Sequence, residues 1–367
     1  MRWPALPFDD APLRAEVARF DAALPIERAY MPPGSWYVDP RFAALERQAV
    51  FGSSWLAVAH TGELAAPGAY VAGCVAGLPY VVVRGADGVL RAFHNSCRHK
   101  GREVVTGRGV APELLVCGYH AWSYTHDGRL KSAPRIAGIE DFDREDFSLE
   151  PLAVRAWGPW VFVHCDPNAT QPALGELEQR LAARGWDRYR HVESAEFTLA
   201  ANWKTVVDNY LDGGYHVPHM HPSLDAQIDM KSYRTDLFER YSIQHVLPAG
   251  GTERTAGGAD YAWLYPNFMI NAYGSCIDSN TVIPVAHDRC RIRYDFFFHE
   301  DVLDPAQVRA SIAQSAVTQG EDTAICESVQ IGLGSPSYDR GRYAPRVEMG
   351  EHHFHRLLAA DYAAALA

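Results

Sequence analysis

The chain has 367 residues and 47% hydrophobic content, enough to build two substantial domains. Its formal charge of −11 argues against nucleic acid as a partner. No apolar run approaches the ~18 residues of a membrane helix and no continuous signal-peptide core opens the chain, so a cytoplasmic protein without a membrane anchor is expected.

Residues 1–46 read as a partly helical segment, with Leu13, Val17 and Phe20 at helical spacing before a Pro32-Pro33-Gly34 turn. We take this segment to pack on the second domain. Residues 47–165 read as a small all-β domain. Tyr80-Val81-Val82-Val83 and Leu90-Arg91-Ala92-Phe93 flank Gly85-Ala86-Asp87-Gly88, a hairpin signal. Ser123 to Leu130 is a second hairpin, and Trp160 to His164 the closing strand.

Two loops of this domain carry chemistry. They read Cys97-Arg98-His99 and Cys117-Gly118-Tyr119-His120, with seventeen residues between His99 and Cys117. Two thiolates and two imidazoles so spaced suit a [2Fe–2S] cluster of mixed ligation: cysteines on one iron, histidines on the other. Neutral histidines in place of thiolates raise its reduction potential. Trp122 is placed to wall such a cluster from water. The plainer alternative is a structural Cys₂His₂ zinc site, but zinc pairs usually keep about two to five intervening residues, and C-x-H is tighter than that. Of the seven cysteines, the remaining Cys74, Cys165, Cys276, Cys290 and Cys326 read as buried free thiols of a reducing cytosol. Arg98, Lys100, Arg102 and Arg108 surround the loops, either as a solvated rim or as a docking face for an acidic electron donor.

Residues 166–367 alternate predicted helices at 173–184, 202–216 and 305–333 with predicted strands at 194–200, 237–246, 261–271, 278–284 and 289–298, an α+β domain. Asp208, Asp212 and His216 fall four apart on one line of the second helix, and His221 follows beyond Pro218. Two histidines need one carboxylate to complete a facial triad for Fe(II). Asp322 supplies it: it shares an apolar helical face with Ile325, Cys326, Val329 and Leu333, while Glu321 and Glu327 point elsewhere. A buried carboxylate needs a partner, a metal or an arginine. Asn209 and Asn202 are candidates to hydrogen-bond near the iron, or to cap and pack the helix. Tyr261, Trp263, Tyr265, Phe268 and Tyr273 form one aromatic run, read as sheet core or as a cation–π cage. We take Trp263, Tyr265, Phe268 and Tyr273 as candidate substrate contacts. His352, His353 and His355 read as a packed or surface C-terminal helix.

The cluster loops and the span from Asp208 to His221 together resemble the Rieske non-haem iron oxygenases, and most strongly their choline monooxygenase-like members. The likeness extends through Tyr265 to Asn271, Glu321-Asp322 and Cys326 to Gln330, and on to His352-His353-Phe354-His355. It implies a helix-grip catalytic domain, in which a curved antiparallel sheet wraps a long helix, beside the small all-β Rieske domain. It implies one [2Fe–2S] cluster and one Fe(II) per chain, O₂ as co-substrate, and NAD(P)H electrons delivered by a separate flavin/iron–sulfur reductase or ferredoxin. It implies a homotrimer in which one chain's cluster feeds its neighbour's iron. Asp212 would be the bridging acid, with Asp208 as fallback. Most of the family places that acid three residues before the first histidine, where Gly213 stands here. Gly118 stands where many members have proline. His219, between the two ligands, reads as a neighbour of the site or the pocket. No G-x-G-x-x-G nucleotide fingerprint is present.

The expected function is that of a terminal monooxygenase component hydroxylating choline or another quaternary ammonium or N-methyl compound. The alternative is a hydroxylase or dioxygenase of an aromatic acid. A non-catalytic Rieske electron carrier needs only about a hundred residues, so the second half of the chain with His216 and His221 counts against it. A zinc-stabilised ligand-binding module without catalysis is separated by colour, since a [2Fe–2S] cluster is brown and zinc is colourless.

Overall fold

The computed structural model describes residues 10–249, 258–302 and 304–367. The chain divides into two compact units. One spans Phe51–Gln171, and the other Pro172–Ala367 with the described residues up to Val50.

That leading segment carries α1 (Ala11–Val17), α2 (Ser35–Val38) and α3 (Pro40–Ala49). Leu13, Val17 and Phe20 are buried, as their spacing requires.

The Phe51–Gln171 unit is built from β1 (Leu56–His60), β2 (Ala69–Val75), β3 (Leu78–Arg84), β4 (Leu90–His94), β5 (Arg108–Val110), β6 (Leu114–Val116), β7 (Ser123–Thr125), β8 (Leu130–Ser132), β9 (Pro151–Trp157) and β10 (Trp160–His164). The strands form one sheet of order β1-β10-β9-β4-β3-β2-β5 and a three-stranded sheet β6-β7-β8. The β3–β4 hairpin closes on the expected glycines: Gly88 has φ +77° and the Gly85 N–H donates to the Val89 carbonyl at 2.9 Å. The β7–β8 hairpin also forms where its turn residues place it. Cys97 and Cys117 belong to a core that includes Val81, Phe93, Leu115, Trp122 and Tyr124. Cys165, Cys276, Cys290 and Cys326 are buried, but Cys74 is exposed, because it points outward near the end of β2.

The second unit continues with α4 (Gly175–Ala183), β11 (Tyr189–Leu199), α5 (Trp203–Leu211), α6 (Val217–Met220), α7 (Pro222–Asp225), β12 (Ile228–Leu237), β13 (Tyr241–Pro248), β14 (Ala259–Leu264), β15 (Phe268–Tyr273), β16 (Cys276–Ala286), β17 (Arg289–His299), α8 (Pro305–Leu333) and α9 (Met349–Leu366). Its sheet is antiparallel and curved, of order β11-β17-β16-β15-β14-β13-β12, with α5 packed against α8, α9 and the strands β16 and β17.

Two expectations about elements need correction. The predicted helix 202–216 stops at Leu211, because Gly213 and Gly214 adopt φ +71° and +73°, outside the helical region. The predicted strand 261–271 is a hairpin, broken between Leu264 and Phe268. No helix among the described residues is long and apolar enough to cross a membrane.

Candidate metal centres and cavity

The first centre stands at the ends of strands. Cys97 and His99 lie on the connection from β4 to β5, and Cys117 and His120 on the β6–β7 hairpin tip. Only the second of these loops is a hairpin, because β4 and β5 do not pair with each other. The Cys97 N–H donates to the Arg102 carbonyl at 2.8 Å, and the Cys117 N–H to the Trp122 carbonyl at 2.8 Å, so each loop folds back on itself. The His99 and His120 rings lie 4.6 Å apart. The Trp122 indole stacks on His99 at 4.9 Å and is buried, which is the wall expected of it. Tyr124 Oη lies 3.3 Å from Cys97 Sγ. Burial raises the Cys97 thiol pKa, the Tyr124 hydroxyl and the His99 N–H work against that, and the adjoining Cys117 raises it again. A buried thiol such as Cys97, its pKa raised, becomes a thiolate readily only beside a cation. The donor set therefore fits an iron–sulfur cluster.

The second centre gathers on α5, α6 and α8. Asn202 caps α5, accepting the Lys204 N–H at 2.9 Å, so its role is structural. Asp212 follows the last residue of α5 and receives the turn: it accepts from the N–H groups of Gly214, Tyr215 and His216 at 2.9, 3.2 and 3.0 Å. Its Oδ2 is 2.6 Å from His216 Nδ1. The contact expected from helical spacing thus forms through a glycine turn instead. His221 Nε2 is 3.0 Å and His216 Nε2 3.7 Å from Asp322 Oδ1. The three side chains offer donor atoms within 4.8 Å of one another, which fits a single metal ion with open positions. Asn209 donates to Asp322 Oδ1 at 2.8 Å.

A cavity of about 140 Å³ opens on these residues. Its rings are Tyr210, Tyr233, Tyr261, Tyr273 and Tyr294.

Residues 186–364 match the family model of the ring hydroxylating alpha subunit, catalytic domain, and residues 54–143 that of the Rieske [2Fe-2S] domain. The chloroplastic choline monooxygenase of Arabidopsis thaliana is 38% identical over 361 residues, an overlap of 93% of this chain and 85% of that one. The chain is a Rieske non-haem iron oxygenase. As such it is an oxidoreductase of the oxygen-incorporating class, carrying a [2Fe–2S] cluster and a mononuclear iron. The carnitine monooxygenase oxygenase subunit of Escherichia coli K12 is 32% identical, over 91% of this chain and 94% of that one. A crystal structure described as a quaternary ammonium Rieske monooxygenase, with insights into carnitine oxidation by gut microbiota and inter-subunit electron transfer, superposes at a TM-score of 0.82. It is 30% identical and covers 91% of this chain and 96% of that one.

Several residues of the oxygenase stand elsewhere than expected. Glu321 does not point away: its Oε2 is 2.6 Å from His221 Nδ1, the orienting contact a ligating histidine commonly has. The signal was its place beside Asp322, one residue round the helix. Glu327 does point away, accepting from the Ala200 N–H at 2.9 Å. His219 is exposed and does not line the cavity. Asp208 is engaged behind the site, accepting from Tyr37 at 2.7 Å and lying 3.0 Å from His355 Nε2.

Of the aromatic contacts expected, Tyr273 lines the cavity but Trp263, Tyr265 and Phe268 do not. Trp263 shares a strand face with Tyr261, but two residues further along it meets Phe354 of α9 at 5.4 Å. Tyr265 lies in the hairpin turn and bonds Asp361 at 2.7 Å. Phe268 has the opposite strand parity to Asn271 and Tyr273, both of which line the cavity. Tyr233, Tyr261 and Tyr294 take their places.

Proposed function

We propose that this chain is the terminal oxygenase component of a monooxygenase acting on a small quaternary ammonium or N-methyl compound such as choline. One observation carries the reading: a cavity walled by Tyr233, Tyr261, Tyr273 and Tyr294 opens on His216, His221 and Asp322. Several tyrosine faces around one space replace the hydration of a trimethylammonium group by cation–π attraction. The relatives named for choline and carnitine oxidation support the same reading.

In this proposal Cys97 and Cys117 hold one cluster iron and His99 and His120 the other, while His216, His221 and Asp322 hold the mononuclear iron. The cluster supplies electrons singly and the mononuclear iron supplies dioxygen activation. The remaining residues position these groups. Asp212 fixes the His216 ring through Nδ1, Glu321 fixes His221, and Asn209 holds the Asp322 carboxylate. Electrons come from a separate reductase or ferredoxin, and the assembly is a homotrimer passing electrons between subunits in the cytosol. The structure described with inter-subunit electron transfer supports the passage of electrons between subunits.

The test is NADH- and dioxygen-consumption with a generic reductase, comparing choline and other trimethylammonium compounds with benzoates. Turnover on trimethylammonium compounds is expected. Turnover on benzoates alone overturns the proposal in favour of the aromatic-acid activity.

A further inference from the structure

The cavity contains a third acid that neither the iron nor its histidines use. Asp278, on β16, is 1% exposed and lines the same space as His216, His221 and Asp322. Strand parity puts Asp278 and Asn280 on one face, and register sets Asp278 opposite Asn271. Tyr273 donates to its Oδ2 at 2.5 Å and Asn271 to its Oδ1 at 2.7 Å. The Asn280 amide, turned to satisfy both neighbours, donates to Oδ1 at 2.9 Å and accepts from Tyr294 at 2.9 Å. Three converging donors are the surroundings of a carboxylate acting as acceptor only. Two of those donors sit on, or touch, the tyrosines of the proposed cage.

The charge balance of the cavity is one-sided. Asp212, Asp278 and Asp322 line it, among the described lining residues there is no lysine or arginine, and a bound Fe(II) would offset only two of these three carboxylate charges. An outer cavity adjoins it, sharing Gln227, Tyr273 and Gln314, and Arg184 lines that space. Arg184 is already held by Asp260, at 2.8 Å from Nη2.

We infer that Asp278 is a specificity-determining residue that makes the cavity select by charge. It admits a small organic cation carrying no anionic group and rejects a zwitterion. The inference rests on the quaternary-ammonium reading and narrows it to cationic amines and amino alcohols. A cation beside Asp278 gains direct attraction in a site of low dielectric. A ligand carboxylate in the same space faces like charge and finds no cationic partner among the described lining residues, and an unpaired buried anion is strongly disfavoured.

The test is calorimetric binding to the purified holoenzyme without electron donor. Three ligands of nearly equal size serve as probes: choline as cation, glycine betaine as zwitterion and 3,3-dimethylbutan-1-ol as neutral isostere. In the unsubstituted enzyme choline is expected to bind about tenfold or more tighter than either of the others. In Asp278→Asn, choline should weaken about tenfold while the neutral alcohol changes little, so that the preference collapses. Equal binding of choline and glycine betaine to the unsubstituted enzyme overturns the inference and leaves the quaternary-ammonium reading standing. An unchanged preference in folded, iron-replete Asp278→Asn does the same. If that variant does not fold, the ratios in the unsubstituted enzyme decide alone. Binding of benzoate with no binding of choline or glycine betaine overturns both.

Discussion

Asp212 stands four residues before His216 because its neighbour can only be glycine. Gly213 has φ +71°, and a Cβ there would collide with the Val347 carbonyl oxygen just before α9. An acid at position 213, three residues before His216, has no room in this chain. Gly213→Ala is therefore expected to destabilise the protein by ~1–3 kcal/mol through backbone strain alone, with more from the collision, read as a lower melting temperature. Asp322→Ala should retain the two cluster irons per chain and lose the third, whereas Glu327→Ala, pointing away, should keep all three. A third iron retained in Asp322→Ala would move the ligand assignment elsewhere. The histidine pair also sets a pH dependence. In the metal-free protein burial lowers the His221 pKa, but Asp322 and Glu321 outweigh it and lift it to about 9 from the ordinary 6.5. The charged ring then stabilises the metal-free fold fully below about pH 6.5, and that contribution is lost as pH rises through about 9. The melting temperature of metal-free protein should fall across that window, less steeply in Glu321→Gln. Iron must displace the same proton, so uptake should strengthen with pH over the same range. The sequence displayed His216 and His221 through their local spacing, and Asp322 as an acid on the apolar face of its helix. It hid Glu321, whose partner is a hundred residues away and whose position on α8 looked like a solvent face.

Helices α3, α5 and α9 meet at one buried carboxylate. Glu46 of α3 accepts from the Lys204 ammonium and from Trp203 Nε1 at 2.7 Å, both on α5, and from Tyr362 of α9 at 2.6 Å. Lys204 is 0% exposed, and burial pulls its pKa down while Glu46 works to keep it charged. Removing one partner leaves the other charge buried and alone, a loss of about 3–5 kcal/mol. Glu46→Ala is thus expected to lower the melting temperature strongly and to release mononuclear iron on mild heating, since α5 carries Asn209 and leads into Asp212. Unchanged iron retention would mean that α5 is held by other contacts. Nothing local in the sequence marks this cluster, because Glu46 lies 157 residues or more from Trp203, Lys204 and Tyr362. The strands were readable where turn residues mark them, as at Gly85–Gly88. The run Tyr261 to Tyr273 misled because an unbroken aromatic pattern conceals the hairpin at Pro266, and a hairpin resets which rings face the cavity. Tyr233 and Tyr294 went unnoticed because they come from β12 and β17, which are separated from β14 and β15 by β13 and β16 and share a cavity with them only in the folded, curved sheet.

At the scale of the whole molecule, the two donor sets fall in separate compact units, and electrons must pass from one to the other. Electron tunnelling falls steeply with distance, so the route has to be short. A head-to-tail contact between chains offers such a route and closes naturally into a ring. Asp212, which already holds His216, would accept a hydrogen bond from His99 or His120 of the neighbouring chain through the ring nitrogen that binds no iron. Asp212→Asn is then expected to keep both metals and to reduce its cluster normally, yet to pass electrons to the iron far more slowly in single-turnover experiments. A sharper test uses mixed assemblies. Chains carrying Cys97→Ala have no cluster, and chains carrying Asp322→Ala have no mononuclear iron, so each alone is inactive. Coexpressed in equal amounts in the proposed trimer, they should restore one complete pair wherever an intact cluster faces an intact iron across an interface. Random mixing gives that pairing at about a quarter of the interfaces, so about a quarter of the activity should return. Transfer within a single chain returns none of it, because no chain in the mixture carries both metals.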